Sequence, residues 1–385
     1  MPFKRAQLGI ALEALTPFLA MIAALLVGAV MLLALQANPI EAYVGLFNGA
    51  VGSWNSVADS TVKAVPLLFI ALGTCIAFRG GVTNIGGEGQ LIVGALASTA
   101  IGLSLKDGPA FLVVPLALLG GFAAGGVWGG LAGFLKAQFK VNEILSTIML
   151  NSVAVYLSNF LLRGPMLDPA QFTSISRIPQ TERLPQAFLL ARLVPTRLHL
   201  GVVIAIVLAI LVWVLLWRTT IGYRIRAVGH NPDAARYAGI NVGRYMVLSM
   251  ALSGALGGLG GAVQVYGVTY RMLTDGSAVG FTGNAGFNGI VAALFGQLHP
   301  LGAIPAAFFF GALLVGANKL QRIVQVPTAL VTTLNGLVVI FVVSSDIWRR
   351  NRARRREMQQ LAAAPSAGAE TPAITPASEL KGGNP

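Results

Sequence analysis

Residues 198–217 read LHLGVVIAIVLAILVWVLLW, a run of twenty without a single Asp, Glu, Lys or Arg. A bilayer hydrocarbon core about 30 Å thick needs about 20 helical residues to cross it. This stretch is therefore long enough to span a membrane as one helix. Working outward with the same window gives five further candidates before it, at roughly 14–36, 62–79, 88–105, 110–135 and 142–162. Four follow it, at roughly 243–265, 284–297, 300–318 and 326–345. The expected fold is all-α, a polytopic transmembrane helical bundle of about ten spans. The window at 284–297 is short, which predicts a half-helix or a tilted, buried segment.

The whole composition agrees with that stretch. The 385 residues are 55% hydrophobic and 11% charged, with a mean hydropathy of +0.73, whereas soluble domains carry about 25% charged residues. A water-soluble surface cannot be assembled from these residues, and residues 1–348 read as one membrane domain. Cys75 is the only cysteine, so no intramolecular disulfide is possible. His199, His230 and His299 are far apart, and none has a Cys or carboxylate at ligand spacing, which argues against a metal site.

A net charge of +13 would suit a nucleic-acid binder, but six arginines fall between Arg349 and Arg356, directly after an apolar segment. That placement reads as a cytoplasmic anchor under the positive-inside rule. No nucleic acid is expected as a partner. Lys4 and Arg5 precede the first apolar stretch without a small-residue cleavage site, so that stretch reads as a first span and not a removable signal. Counting back from Arg349, the connections at 80–87, 136–141 and 218–242 fall in the cytoplasm, as do both termini. The external loop at 163–197 runs against the rule, with Arg163, Arg177, Arg183, Arg192 and Arg197 against Asp168 and Glu182. The end of the chain, 349–385, reads as a basic and disordered tail, rich beyond Glu357 in Ala, Pro, Gly, Ser and Thr.

Three polar stretches interrupt the apolar pattern. Residues 224–241, RIRAVGHNPDAARYAGIN, are too polar to span. Within them Asn231 suits an N-cap, Pro232 the first helical position, Asp233 the positive end of the helix dipole and Gly239 a left-handed stop. A short cytoplasmic helix of about seven residues, near 10 Å long, is predicted. It presents Arg236 and Tyr237 to a docking partner, which is more than a plain interhelical turn requires. The second stretch, Asn84-Ile-Gly-Gly-Glu-Gly-Gln90, has the glycines of a phosphate loop, but no Lys-Ser or Lys-Thr follows them and Glu88 would repel phosphate. It reads as a structural turn or interface element ahead of a ligand contact, with Asn84, Glu88 and Gln90 as the polar groups of a pathway or interface. In the third, Val141 to Asn151, a helix places Glu143, Ser146, Thr147 and Asn151 on one broad face, with Ser152, Tyr156 and Asn159 on a roughly opposite one. Polar groups are costly in lipid, so these faces either line a pathway or bond other helices. Asn284 and Asn288, four apart near the short eighth window, pose the same choice. Gly121, Gly125, Gly129 and Gly133 recur every four residues, and Gly254 with Gly258 repeats the device, with Gly257 and Gly261 offset. Such stripes let helices pack closely, either as static contacts or as sliding surfaces. No catalytic constellation is visible within the spans.

Asn84 to Gln90, Val141 to Asn151 and Val228 to Gly239 together resemble the permease subunits of bacterial ABC importers in the branched-chain amino acid, simple sugar and nucleoside group. They look like the longer of the two permeases that pair in nucleoside importers. The resemblance covers about residues 10–345, and the arginine cluster and tail fall outside it. It implies a multi-pass protein of the bacterial inner (plasma) membrane that works with a second permease subunit, cytoplasmic ATPase subunits and an extracytoplasmic substrate-binding lipoprotein. It implies no cofactor bound by this chain and ATP used by the partner subunit, which fits the missing Walker signature. Loop 218–242, with Asn231, Pro232, Asp233, Arg236, Tyr237 and Gly239, becomes the element that couples to the ATPase. Nucleosides are the solute the resemblance implies, with simple sugars as the alternative. A secondary transporter is a rival reading, but its ion-coupling groups would be nearly limited to Glu143.

Overall fold

The computed structural model describes residues 22–340, except 24, 35 and 174–176 and, beyond 325, all but 333, 336, 337 and 340. The first turns of the window at 14–36, nearly all of that at 326–345, and the basic tail with both charged ends lie outside the described residues.

Among the described residues the chain is helical and contains no strand, only two isolated bridges. In order the helices are α1 (Leu25–Ala34), α2 (Pro39–Ala50), α3 (Trp54–Arg79), α4 (Gly87–Ser104), α5 (Ala110–Phe139), α6 (Glu143–Arg163), α7 (Gly201–Arg218), α8 (Thr220–His230), α9 (Pro232–Tyr237), α10 (Val242–Gln264), α11 (Val279–Thr282), α12 (Ala285–Phe295) and α13 (Pro300–Val324). Six of them, α3, α5, α6, α7, α10 and α13, are long and apolar enough to cross a membrane, α10 being counted through Thr269. The window at 88–105 is met by the 18-residue α4, and the one at 284–297 by the 11-residue α12. Helix α2, which no window anticipated, packs on α13.

The starts follow local chemistry. Asn142 Oδ1 accepts the free N–H groups of Ile144 and Leu145 at the head of α6, and Ser53 Oγ accepts from Ser56 at the head of α3. At the end of α5 the chain turns through Lys140 in a left-handed conformation.

Helix α3 is the axis, buried along nearly all of its length from Ala64 to Ala77 and packed by α13, α10, α12 and α7. The outer helices have the opposite character: Phe111 and Val127 of α5 and Tyr156 and Phe160 of α6 are exposed, as faces toward lipid or another subunit must be. The glycine stripe of α5 meets that of α10 backbone to backbone. A Cβ on Gly125 would lie 2.6 Å from Gly258 Cα, and one on Gly129 would lie 2.9 Å from Gly254 Cα. The two helices interlock as closely as their main chains allow, the kind of approach that only small residues permit.

The depth of α4 and α12 is the feature that matters for the site. A Cβ on Gly87 would sit 3.1 Å from Gly286 Cα and 3.3 Å from the Ile70 side chain, and one on Gly289 would sit 2.6 Å from Ile70 Cβ. Ile70 lies nine residues before the end of α3 at Arg79, about 13 Å along the helix. Both α4 and α12 therefore begin inside the bundle, near the middle of α3. Residues 80–86 leave the end of α3 and run back into the bundle before α4 starts. Helix α12, about 16 Å long, descends from that level to Leu298, whose carbonyl accepts Arg79 Nε at 2.7 Å. The short eighth window is thus a half-helix.

The end of the bundle opposite Arg79 is covered by residues 164–200. This segment runs beside the residues that follow α10, with Thr181 N donating to Met272 O, Leu184 N to Tyr270 O and Leu190 N to Tyr266 O. Val265–Thr269 form a single π-turn there, and the buried Tyr266 hydroxyl donates to Ser98 O at 2.9 Å.

Candidate functional site

Two regions collect the polar residues singled out in the sequence. The first is the end of the bundle that carries α8 and α9. Helix α7 stops where Thr219 takes an extended conformation, and its Oγ1 accepts from Gly222 N to start α8. The loop at 218–242 therefore contains two helices and not one; the pattern of charges had concealed α8. Ile225 and Val228 of α8 are fully buried. Its two glycines meet backbone: a Cβ on Gly222 would lie 2.6 Å from Leu216 Cα, and one on Gly229 would lie 2.7 Å from Gly81 N. Arg79 and Arg226 both lie over the Trp217 ring, at 4.6 and 5.7 Å, and Arg224 donates to the Tyr245 hydroxyl at 2.8 Å. An open cleft of about 490 Å³ lies between Phe78, Arg79, Tyr223, Arg226 and His230.

Helix α9, six residues long, projects from this platform. Asn231 Oδ1 accepts from Asp233 N and Ala234 N, both at 3.0 Å. Pro232 occupies its first turn, and Gly239 ends it at φ +78° with nothing within 4 Å of where a Cβ would sit, a conformation that favours glycine. Ala235 is buried, whereas Tyr237 is 95% exposed and Asp233 and Arg236 form an exposed pair at 3.6 Å. Such a pair adds little stability. The helix is held by one small residue and presents a tyrosine and two charges outward.

The second region is the midlevel where α4 and α12 begin. Asn84 accepts from Gly86 N at 2.9 Å, exchanges bonds with Gln90 at 3.1 and 3.2 Å, and donates to Ser253 Oγ of α10 at 2.8 Å. Asn151 of α6 accepts from Gly89 N at 2.8 Å and donates to Ile85 O at 3.0 Å. Thr147 accepts weakly from Ile85 N and donates to Glu143 O at 2.7 Å. The Glu143 side chain pairs with Lys136 at 2.8 Å. The buried polar face of α6 thus bonds a neighbouring loop. On its other face Ser152 and Tyr156 are exposed, and Asn159 accepts from Thr274 at 2.8 Å.

Glu88 joins the two half-helices. Its Oε1 accepts from Phe287 N of α12 at 3.3 Å, a carboxylate at the positive end of a helix. Asn284 precedes α12 in a left-handed conformation, and Asn288 follows one turn on; both are half-buried. Sequence reasoning had not brought Lys63 or Ser253 to this place, because each belongs to a helix with its own apolar pattern. Among the described residues no three His, Cys, Asp or Glu side chains group as metal ligands.

The family described as branched-chain amino acid transport system / permease component matches residues 56–343. A guanosine ABC transporter permease of Bacillus subtilis is 36% identical over 86% of this chain and 93% of its own length. A glucose ABC transporter permease of Haloferax volcanii is 34% identical over 88% of this chain and 89% of its own. A nucleoside ABC transporter permease of Lactococcus lactis is 31% identical, over 86% and 90% respectively. No solved structure matches.

Proposed function

The chain belongs to the branched-chain amino acid transport system / permease component family, and on that premise we propose that it is the longer permease subunit of a bacterial ABC importer for nucleosides. It is a multi-pass membrane protein, with six helices long and apolar enough to span. The finer topology we infer is about ten spans with both termini in the cytoplasm of a bacterium whose inner membrane holds the complex. The half-helices α4 and α12 and the apolar α1 stand where further spans are expected.

The observation that carries the mechanism is α9. A capped helix, anchored only through Ala235 and displaying Asp233, Arg236 and Tyr237, suits a contact made and remade by a cytoplasmic ATPase subunit. On this reading ATP is hydrolysed by that partner. Its closure moves α9, and the permease pair switches between outward-facing and inward-facing states. An extracytoplasmic binding lipoprotein delivers the solute at the opposite end, over residues 164–200.

Replacing Asp233 and Arg236 together should lower substrate-stimulated ATPase activity in the reconstituted complex while the permease stays folded. Unchanged stimulation would refute the coupling role. Simple sugars are the second reading, favoured by the similarity to a glucose permease. Uptake competition among labelled purine and pyrimidine nucleosides and ribose in a deletion strain separates the two.

A further inference from the structure

Among the described buried polar groups without a hydrogen-bond partner, one lies at the level where α4 and α12 begin. Around the start of α4, Asn84, Gln90, Thr147 and Asn151 all have their bonds. The network stops at Glu88. This residue is 2% exposed; the backbone of Gly286 and Phe287 faces its carboxyl group, and its Oε2 has no partner at hydrogen-bond geometry among the described residues. The neighbouring Thr282 hydroxyl donates instead to Ala278 O at 2.9 Å. Within one turn, the side chains of Asn284 and Asn288 make no hydrogen bond to a described residue. Lys63 Nζ lies 2.9 Å from where a Cβ on Gly283 would sit, with no carboxylate within ion-pair distance among the described residues.

A buried polar oxygen without a partner is costly unless something else occupies it. Here it faces the meeting point of two half-helix N-termini halfway through the bundle. Broken helices that meet at the bilayer midplane are where a transporter can offer polar backbone to a solute without exposing it to lipid.

We propose that Glu88, Lys63, Asn284 and Asn288 form a solute-contacting station halfway along the translocation path, built for the hydroxyl-bearing part of a neutral polar solute. This rests on the importer reading above and names the chemistry it selects. An ionised carboxylate only accepts hydrogen bonds, so the free oxygen of Glu88 calls for an O–H or N–H donor. The two carboxamides accept or donate, and the lysine donates. Sugar hydroxyls, free or on a nucleoside, supply both donors and acceptors to such a set. In the present arrangement Gly286 packs on Glu88, with a Cβ there falling 2.8 Å from Glu88 Cδ, so the station is closed.

The test is initial-rate uptake of radiolabelled guanosine, glucose and leucine by cells expressing the intact importer, with the wild-type chain, Glu88→Gln or Asn288→Ala. The expected result is accumulation of guanosine or glucose and not leucine. Glu88→Gln then lowers the rate at least tenfold at equal abundance in the membrane, and Asn288→Ala raises KM about fivefold. Should Glu88→Gln fail to reach the membrane, the KM of Asn288→Ala decides. Wild-type rate and KM in the variants would overturn the station and leave the importer reading standing. Accumulation of leucine alone would overturn both the station and the nucleoside reading.

Discussion

Replacing Asn151 with Leu tests whether the polar face of α6 is a structural clamp. The side chain makes two bonds across helices, from Gly89 N to Oδ1 at 2.8 Å and from Nδ2 to Ile85 O at 3.0 Å. Gly89 N belongs to the first turn of α4, where no carbonyl of the same helix can take it. Leucine keeps the volume and removes both partners, leaving a buried donor and a buried acceptor unsatisfied. Each such group costs about 1–3 kcal/mol, so Asn151→Leu should destabilise the chain by about 4 kcal/mol. Asn151→Asp retains the acceptor for Gly89 but loses the donor to Ile85 and adds a buried carboxylate, so it should not restore wild-type stability. Equilibrium unfolding of the purified permease in mixed micelles, titrated with denaturing detergent, gives the differences directly. A Leu variant within about 0.5 kcal/mol of wild type, the range of ordinary surface substitutions, would refute the assignment of these bonds as structural.

Gly258→Val should abolish correct α5–α10 packing, because its Cβ would meet Gly125 Cα at 2.7 Å and the carbonyl of Gly121 more closely still; overpacking costs about 1–3 kcal/mol where side chains can yield, and backbone yields less. Reduced abundance of the variant in the membrane checks it. Asn231→Ala removes the acceptor for two N–H groups of α9 and should cost about 1 kcal/mol locally, read as faster amide exchange at Asp233 and Ala234 with global stability unchanged. Arg79→Lys keeps the charge but loses the planar contact with Trp217 and the Nε bond to Leu298 O. It should lower stability by about 1–2 kcal/mol, measured in the same unfolding titration.

What the sequence made legible was whatever depends on neighbours along the chain. The apolar run at 198–217 became α7, and Asn231, Pro232 and Gly239 occupy the cap, first turn and stop of α9. The glycine spacing of four in α5 found its counterpart in α10 because a helical stripe is a local pattern. What depends on depth was illegible. Helix α4 matches its window in length, yet it starts beside Ile70 and not at the end of α3; periodicity reports which face is buried, not how far into the bundle a helix begins. Asn84 and Ser253 bond across 169 positions, a pairing no window could contain. Helix α8 was hidden for another reason: with Arg224, Arg226 and His230 on its surface it looked like loop, although Ile225 and Val228 are fully buried beneath it.

The seating of α8 has a mechanical consequence. Gly222 rests against the main chain of Leu215 and Leu216 at the end of α7, and Gly229 against that of Arg79 and Gly81 at the end of α3. Main chain against main chain leaves no side-chain padding to compress. The joint between α8 and the central axis is therefore stiff: α8 cannot shift without moving the ends of α7 and α3, and α3 in turn carries α12 along its side.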